Sequence, residues 1–217
     1  MTRDEMHRDF KILIDKADSA GAPLFLSEEI DRFLNIAQEK FVSKRAFGNN
    51  IRRTTFEEDQ KRRDDLRNLI MDYSSSTFTS SANAKPNGKF VALPRDYRHA
   101  INEECAIAGG KRVSVKPITY DRYNKIIDDP FNSPKGDVVY RLDYSRDTFE
   151  LISESIINKY YLRYLKNPAV VSNIDSVSCD LAEHTHREIV RMAVLEALEN
   201  TENPRYQSSK IELNEIE

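Results

Sequence analysis

The residues nearest to metal chemistry are His184 and His186, in the run EHTHRE (Glu183–Glu188). Two histidines hold a metal from one helix when they stand four apart, because only then do both rings leave the same face, as in HExxH. Two apart on a helix, they point about 200° from each other. The spacing predicts a helix start instead, with His186 at the edge of the core and His184 in solvent. Cys179, five residues before His184, raises a thiol–imidazole dyad. Such a dyad needs a group to orient the base and donors for an oxyanion, and the sequence identifies neither. SSSTFTSS lacks the GxSxG context of a nucleophile elbow. Gly109–Gly110 reads as a turn, not as a phosphate cradle. Asp128 and Asp129, just before Pro130, read as helix-ending residues rather than an acid/base pair. No catalytic, metal or cofactor constellation is expected.

Charge is the other chemistry on offer. Lys40, Lys44, Arg45, Arg52 and Arg53 fall between Lys40 and Phe56 with no acidic residue among them. From Ala197 onward the chain carries Glu199, Glu202, Glu212, Glu215 and Glu217 against Arg205 and Lys210. Three readings stay open: ordinary solvated charge, a nucleic-acid patch, or two complementary segments that meet on different copies of the chain or on a partner. The second lacks interleaved aromatics, and the net charge of −3 counts weakly against a nucleic-acid binder.

The elements that would carry these residues follow from periodicity. DEMHRDFKILIDKA reads as a short helix ended near Gly21–Pro23. In SEEIDRFLNIAQEKFVSKRA, Ile30, Phe33, Leu34, Ala37 and Phe41 form one helical stripe, with Ser27 as cap and Glu28 and Glu29 at the positive end of the dipole. TTFEEDQKRRDDLRNLIMDY reads as a third helix, with Thr55 and Glu58 at capping-box spacing and Leu66, Leu69, Ile70 and Tyr73 as its apolar side. Ser74–Lys89 is too polar for a core element and long for a connection. It reads either as a mobile surface loop or as one that orders against a neighbouring subunit.

From Phe90 the period becomes two. A short strand is expected, then a helix beginning at Pro94, a strand KRVSVKPITY ended by Pro117, a short helix capped by Thr119, and a turn DPFNSPKGD. A hairpin follows, with Val138, Tyr140, Leu142 and Tyr144 on one face and a turn at Ser145–Asp147. In the strand that runs into KYYLRYLKNPAVV (Lys159–Val171), Ile156, Tyr160, Leu162 and Tyr164 share the inward face, Tyr161 and Arg163 point to the other face, and Pro168 ends the strand because it has no N–H to donate. CDLAEHTHREIVRMAVLEALEN is the last helix, with His186, Ile189, Val190, Ala193, Val194 and Ala197 on one side. The order predicts an α+β fold: N-terminal helices, a mostly antiparallel sheet, and a C-terminal helix with an extended tail. The expected organisation is one domain over residues 1–200 (helical 1–73, loop 74–89, sheet-rich 90–171, helix 180–200) followed by the tail 201–217.

The chain has 217 residues, 39% of them hydrophobic, with ten Phe and ten Tyr. That is enough apolar area for a core and excludes a disordered chain. Cys105 and Cys179 are expected as free thiols in a reducing compartment. No apolar leader or run of membrane-spanning length is visible, so synthesis in a cytoplasm without membrane anchoring is expected.

IDRFLNIAQEKFV, FEEDQKRRDDLRNLI, the Ser-rich gap, LPRDYRHAI, VKPITYDRYNKIIDDPFNSP, INKYYLRYLKNPAVV and LAEHTHREIVRMAVLEALEN, in that order, resemble the head–tail connector (neck ring, adaptor) proteins of tailed bacteriophages. The resemblance is closest to those of crAss-like phages of gut Bacteroides hosts and spans Ser27 to Glu199. It implies a virion structural protein without an active site or cofactor: a cyclic homo-oligomer, commonly of twelve copies, below the portal. Genomic DNA would pass through its channel without sequence-specific binding, and other neck or tail ring proteins would dock on it. It further implies that the C-terminal segment reaches the portal, which points to Tyr206, Ile211, Leu213 and Ile216 as partner-binding residues, beside Lys44, Arg45, Arg52 and Arg53 of the basic segment. The alternative is a DNA-binding accessory protein that uses residues 40–56.

Overall fold

The structure is a computed structural model. It describes residues 1–15, 25–47, 59–127, 129, 136–172, 176–201 and 205–216. The fold is α+β, and the chain forms two compact units: residues 1–69 with 168–217, and residues 70–167.

The first unit is helical. Helix α1 (Arg3–Asp15) starts with a capping box: the Thr2 amide donates to Glu5 Oε2 at 2.7 Å and the Glu5 amide donates to Thr2 Oγ1 at 3.3 Å. Helix α2 (Ser27–Phe47) is capped one residue earlier than expected, because Glu29 reaches back to the Leu26 amide at 2.8 Å. That leaves Ser27 as the first helical residue rather than the cap. Met6, Phe10 and Ile14 of α1 and Ile30, Leu34, Ala37 and Phe41 of α2 are buried, as are Ile189, Val190, Ala193 and Ala197 of α5 (His186–Asn200). A triad of rings, Phe10, Phe25 and Phe33, has centroids about 6 Å apart.

Two expectations fail in this unit. The third helix is short: α3 runs Gln60–Leu66, a 3-10 turn covers Arg67–Leu69, and strand β1 begins at Ile70. Leu66 and Leu69 are buried with the helices, but Ile70 and Tyr73 pair with Leu165 and Leu162 of β7. Sheet pairing overrides a stripe that reads as helical. Asp59 is the observed cap, accepting from the Lys61 amide; Thr55 and Glu58 lie outside the described residues. The tail is not extended from Tyr206 onward: α6 spans Tyr206–Ile216 and lies against α5. QSSKIELNEI is rich in helix formers, and the contact with α5 supplies packing that so short a helix lacks alone.

The second unit is a seven-stranded sheet in the order β1-β7-β3-β4-β5-β6-β2. Its strands are β1 (Ile70–Ser75), β2 (Gly88–Ala92), β3 (Tyr97–Ile107), β4 (Arg112–Pro117), β5 (Val139–Ser145), β6 (Thr148–Ile152) and β7 (Ile157–Lys166). All pairs are antiparallel except β4–β5. That parallel step needs a crossover, and α4 (Tyr120–Ile127) lies in it. The two edge strands meet: the Tyr73 hydroxyl donates to the Ala92 carbonyl at 3.2 Å. The sheet is therefore curled almost closed. Its concave face holds the core, including Val91, Cys105, Ile107, Val139, Phe149, Leu151, Tyr160 and Leu162. On the convex face Tyr123 and Ile126 of α4 cover Tyr140, Leu142 and Ile152. Burying a Leu such as Leu142 contributes about 1.5–3 kcal/mol.

The helix expected from Pro94 is instead strand β3, and the register explains the misreading. Irregularities between Tyr97 and His99 and between Ala100 and Asn102 place the inward residues at Tyr97, Ala100 and Glu103, three apart, before alternation resumes at Cys105 and Ile107. Bulges thus imitate a helical period. A further shift near Ala106/Ile107 puts Ile157 in the core; Ile156, expected inside, is 63% exposed. The segment Ser76–Asn87 is tied to its own sheet. Thr79 and Phe90 exchange backbone hydrogen bonds at 2.9 and 2.8 Å, and the Lys85 amide donates to the buried Glu150 carboxylate.

Candidate assembly surface

Among the described residues, Lys40 and Arg45 of the basic segment are engaged within the helical unit. Arg45, at the end of α2, is 8% exposed. Its Nη2 donates to both Glu188 oxygens at 2.9 Å, and its Nε lies 2.8 Å from Asp65 Oδ2 in ion-pair contact without hydrogen-bond alignment. Asp65 Oδ1 in turn accepts from His184 Nε2 at 2.8 Å. Lys40 pairs with Glu196 at 2.5 Å. The pairs 45–188 and 40–196 run in opposite directions, so α2 and α5 are antiparallel and joined by charge as well as by packing. Of the proposed partner-binding residues, Lys44 is exposed and Arg45 is internal, while Arg52 and Arg53 lie outside the described residues. Tyr206 is half-buried beneath the Lys210 ammonium (5.7 Å), and Ile211 is exposed. Leu213 and Ile216 belong to α6, with side chains outside the description.

The histidines and cysteines are placed for structure. His186 is buried and donates from Nε2 to the Leu181 carbonyl at 3.0 Å; the His184 side chain is 60% exposed. Burial pushes the Cys179 thiol up to about 11 and the Cys105 thiol up to about 12, the opposite of what an attacking thiolate requires. Among the described residues no group of three His, Cys, Asp or Glu is arranged to hold a metal.

Inside the sheet, composition alone gave no hint of a charged trio. Glu103 of β3 and Arg141 of β5 form an ion pair, and the Tyr160 hydroxyl of β7 donates to Glu103 Oε2 at 2.7 Å. Arg141 lies over the Phe149 ring at 4.3 Å. Burial raises the Glu103 carboxyl above its ordinary range, with Arg141 and Tyr160 opposing it. Burial, and then the Glu103 charge, raise the Tyr160 hydroxyl. The trio ties three strands together at fixed register.

The convex face over β1, β7, β3 and β4 is a different kind of surface. Alternation brings Asp72 and Ser74, then Lys159, Tyr161 and Arg163, then Asn102 and Glu104, then Arg112, Ser114 and Lys116 to one side. Arg112 lies over the Tyr161 ring at 4.1 Å, Lys159 approaches it at 5.1 Å, and Glu104 sits 3.6 Å from Arg112. The middle of this face is a groove of about 350 Å³. Aromatic and arginine side chains in a groove are the residue types that dominate protein interfaces. The sequence showed Tyr161 and Arg163 turned outward from β7. It did not show that Arg112 and Glu104 join them, because pairing across β3 and β4 decides that.

The comparisons with known proteins name ring proteins. Residues 1–204 match the phage tail ring protein 3/4 family. Ring protein 3 of Bacteroides phage crAss001 is 28% identical over 215 residues, an alignment covering 89% of this chain and 94% of that protein. The chain belongs to the phage tail ring protein 3/4 family, whose members are structural ring proteins of the virion.

Proposed function

We propose that this protein forms a ring in the head–tail connector of a phage particle, below the portal, leaving a channel for DNA and presenting a surface to other neck or tail ring proteins. The observation that carries the reading is the family match across nearly the whole chain, joined to a face on which exposed Arg112 and Arg163 flank the half-buried Tyr161. A closed ring, of twelve copies in this reading, is built from heterologous contacts in which one patch meets a different patch on the next copy. A net charge of −3 suits a channel that DNA slides through, since phosphate-neutralising contacts are what hold DNA. Neither Lys40 nor Arg45 favours the DNA-binding alternative, because both are engaged with carboxylates of the same unit.

Electron microscopy of the purified protein and of virions tests the proposal. The expected result is a cyclic oligomer located at the neck. A protein that sediments as a monomer at every concentration and is missing from particles by mass spectrometry would refute it.

A further inference from the structure

The convex face and the C-terminal helix make complementary halves. Over β1, β7, β3 and β4 the face carries four cations, Arg112, Lys116, Lys159 and Arg163, against two carboxylates, Asp72 and Glu104. Asn102, Arg112, Ser114, Lys116 and Arg163 are exposed. The rest of the convex face, over β5 and β6, is covered by α4. The last seven residues, IELNEIE, follow Lys210 with Glu212, Glu215 and Glu217 and no cation, interleaved with Ile211, Leu213 and Ile216. Ile211 is 61% exposed although α6 rests on α5, so the helix has an apolar side chain its own unit does not cover.

We infer that the acidic end of α6 from one copy docks on the convex β1-β7-β3-β4 face of the neighbouring copy. This rests on the ring reading and supplies the two unlike patches that a heterologous contact requires. Dimensions agree. An eleven-residue helix is about 16 Å long and four strands span about 14 Å, so the end of α6 reaches the middle of the face. Tyr161, stacked under Arg112, supplies the flat anchor at the centre, and the surrounding cations meet the glutamates at the rim. Opposite charges there set register and speed the encounter more than they add raw affinity.

The test mixes two full-length populations with different tags, one carrying Ser114→Cys and the other Glu215→Cys, and applies a short bismaleimide. The expected product joins both tags. It is lost in an Arg112→Glu/Arg163→Glu face, and it returns when the partner copy carries Glu212→Lys/Glu217→Lys. Self-association of the Arg112→Glu/Arg163→Glu protein should weaken at least about tenfold, with unchanged circular dichroism. Sedimentation of the unmodified protein separates the two ideas. If it does not self-associate, the ring reading and this contact both fall. If it assembles but the two tags never join, or the product forms only within one chain, this contact alone falls. A face that binds duplex DNA and loses it on Arg112→Glu/Arg163→Glu, with no cross-link, also overturns it.

Discussion

Replacing Tyr160 by Phe removes one oxygen from the interior of the sheet and leaves the shape of the core unchanged. The ring is fully buried, and its hydroxyl donates to Glu103 Oε2 at 2.7 Å. A hydrogen bond to a charged group contributes about 1.5–3 kcal/mol, so the variant should lose about 2 kcal/mol at pH 7. With a urea slope near 2 kcal/mol/M, the midpoint should fall by about 1 M. The pH dependence sharpens the test. Glu103 has a folded pKa above its unfolded 4.5, so its contribution is complete below pH 4.5 and is lost as pH rises through the folded value. The Tyr160 hydroxyl softens that loss by stabilising the carboxylate. Below pH 4.5 the carboxyl is neutral in both proteins, and the cost of the substitution should shrink to about 1 kcal/mol, the value of a neutral hydrogen bond. Tyr160 is itself raised above 10, so the unmodified protein should lose stability as pH climbs past 10, and the Phe variant should lose less. Urea unfolding followed by circular dichroism at pH 4, 7 and 10.5 measures all three. A cost under about 0.5 kcal/mol at pH 7, or one that grows toward acid, would refute the reasoning.

Arg45→Met strands Asp65 and Glu188 without their shared cation. It should cost about 3–5 kcal/mol in thermal or urea unfolding, and Arg45→Lys should not restore the bidentate contact. Gly88→Ala places a methyl 2.4 Å from Glu150 Oε1 and 2.8 Å from the Lys85 carbonyl. It should destabilise the sheet unit by about 1–3 kcal/mol and speed amide exchange at Thr79, Lys85 and Phe90, which hydrogen-exchange mass spectrometry reads directly. Cys105 and Cys179 are buried, with thiols pushed up to about 12 and about 11. Both should resist iodoacetamide at pH 8 until denaturant is added; fast labelling of either in the native protein would contradict the burial.

Much of this protein was legible in its sequence, for a local reason. The stripes of α2 and α5 and the alternation of β5 and β7 follow from residue spacing alone, because the period of each element sets which residues share a face; that β5 is covered by the core on one face and by α4 on the other does not follow from it. The two-residue spacing of His184 and His186 could be read the same way, and so could the order of motifs that resembles phage ring proteins. The elements misread share a physical trait as well. β3 carries bulges that place inward residues three apart, and α3 gives way at Ile70 because β7 offers the backbone a ladder. Arg45 reads as surface charge until Asp65 and Glu188, from elsewhere in the chain, close on it. The Glu103–Arg141–Tyr160 trio and the convex face of Arg112, Tyr161 and Arg163 draw their members from strands far apart in sequence. Local spacing determines which side of its own strand a residue takes. Only the pairing of strands, and the curl that brings β1 to β2, determine which residues meet there.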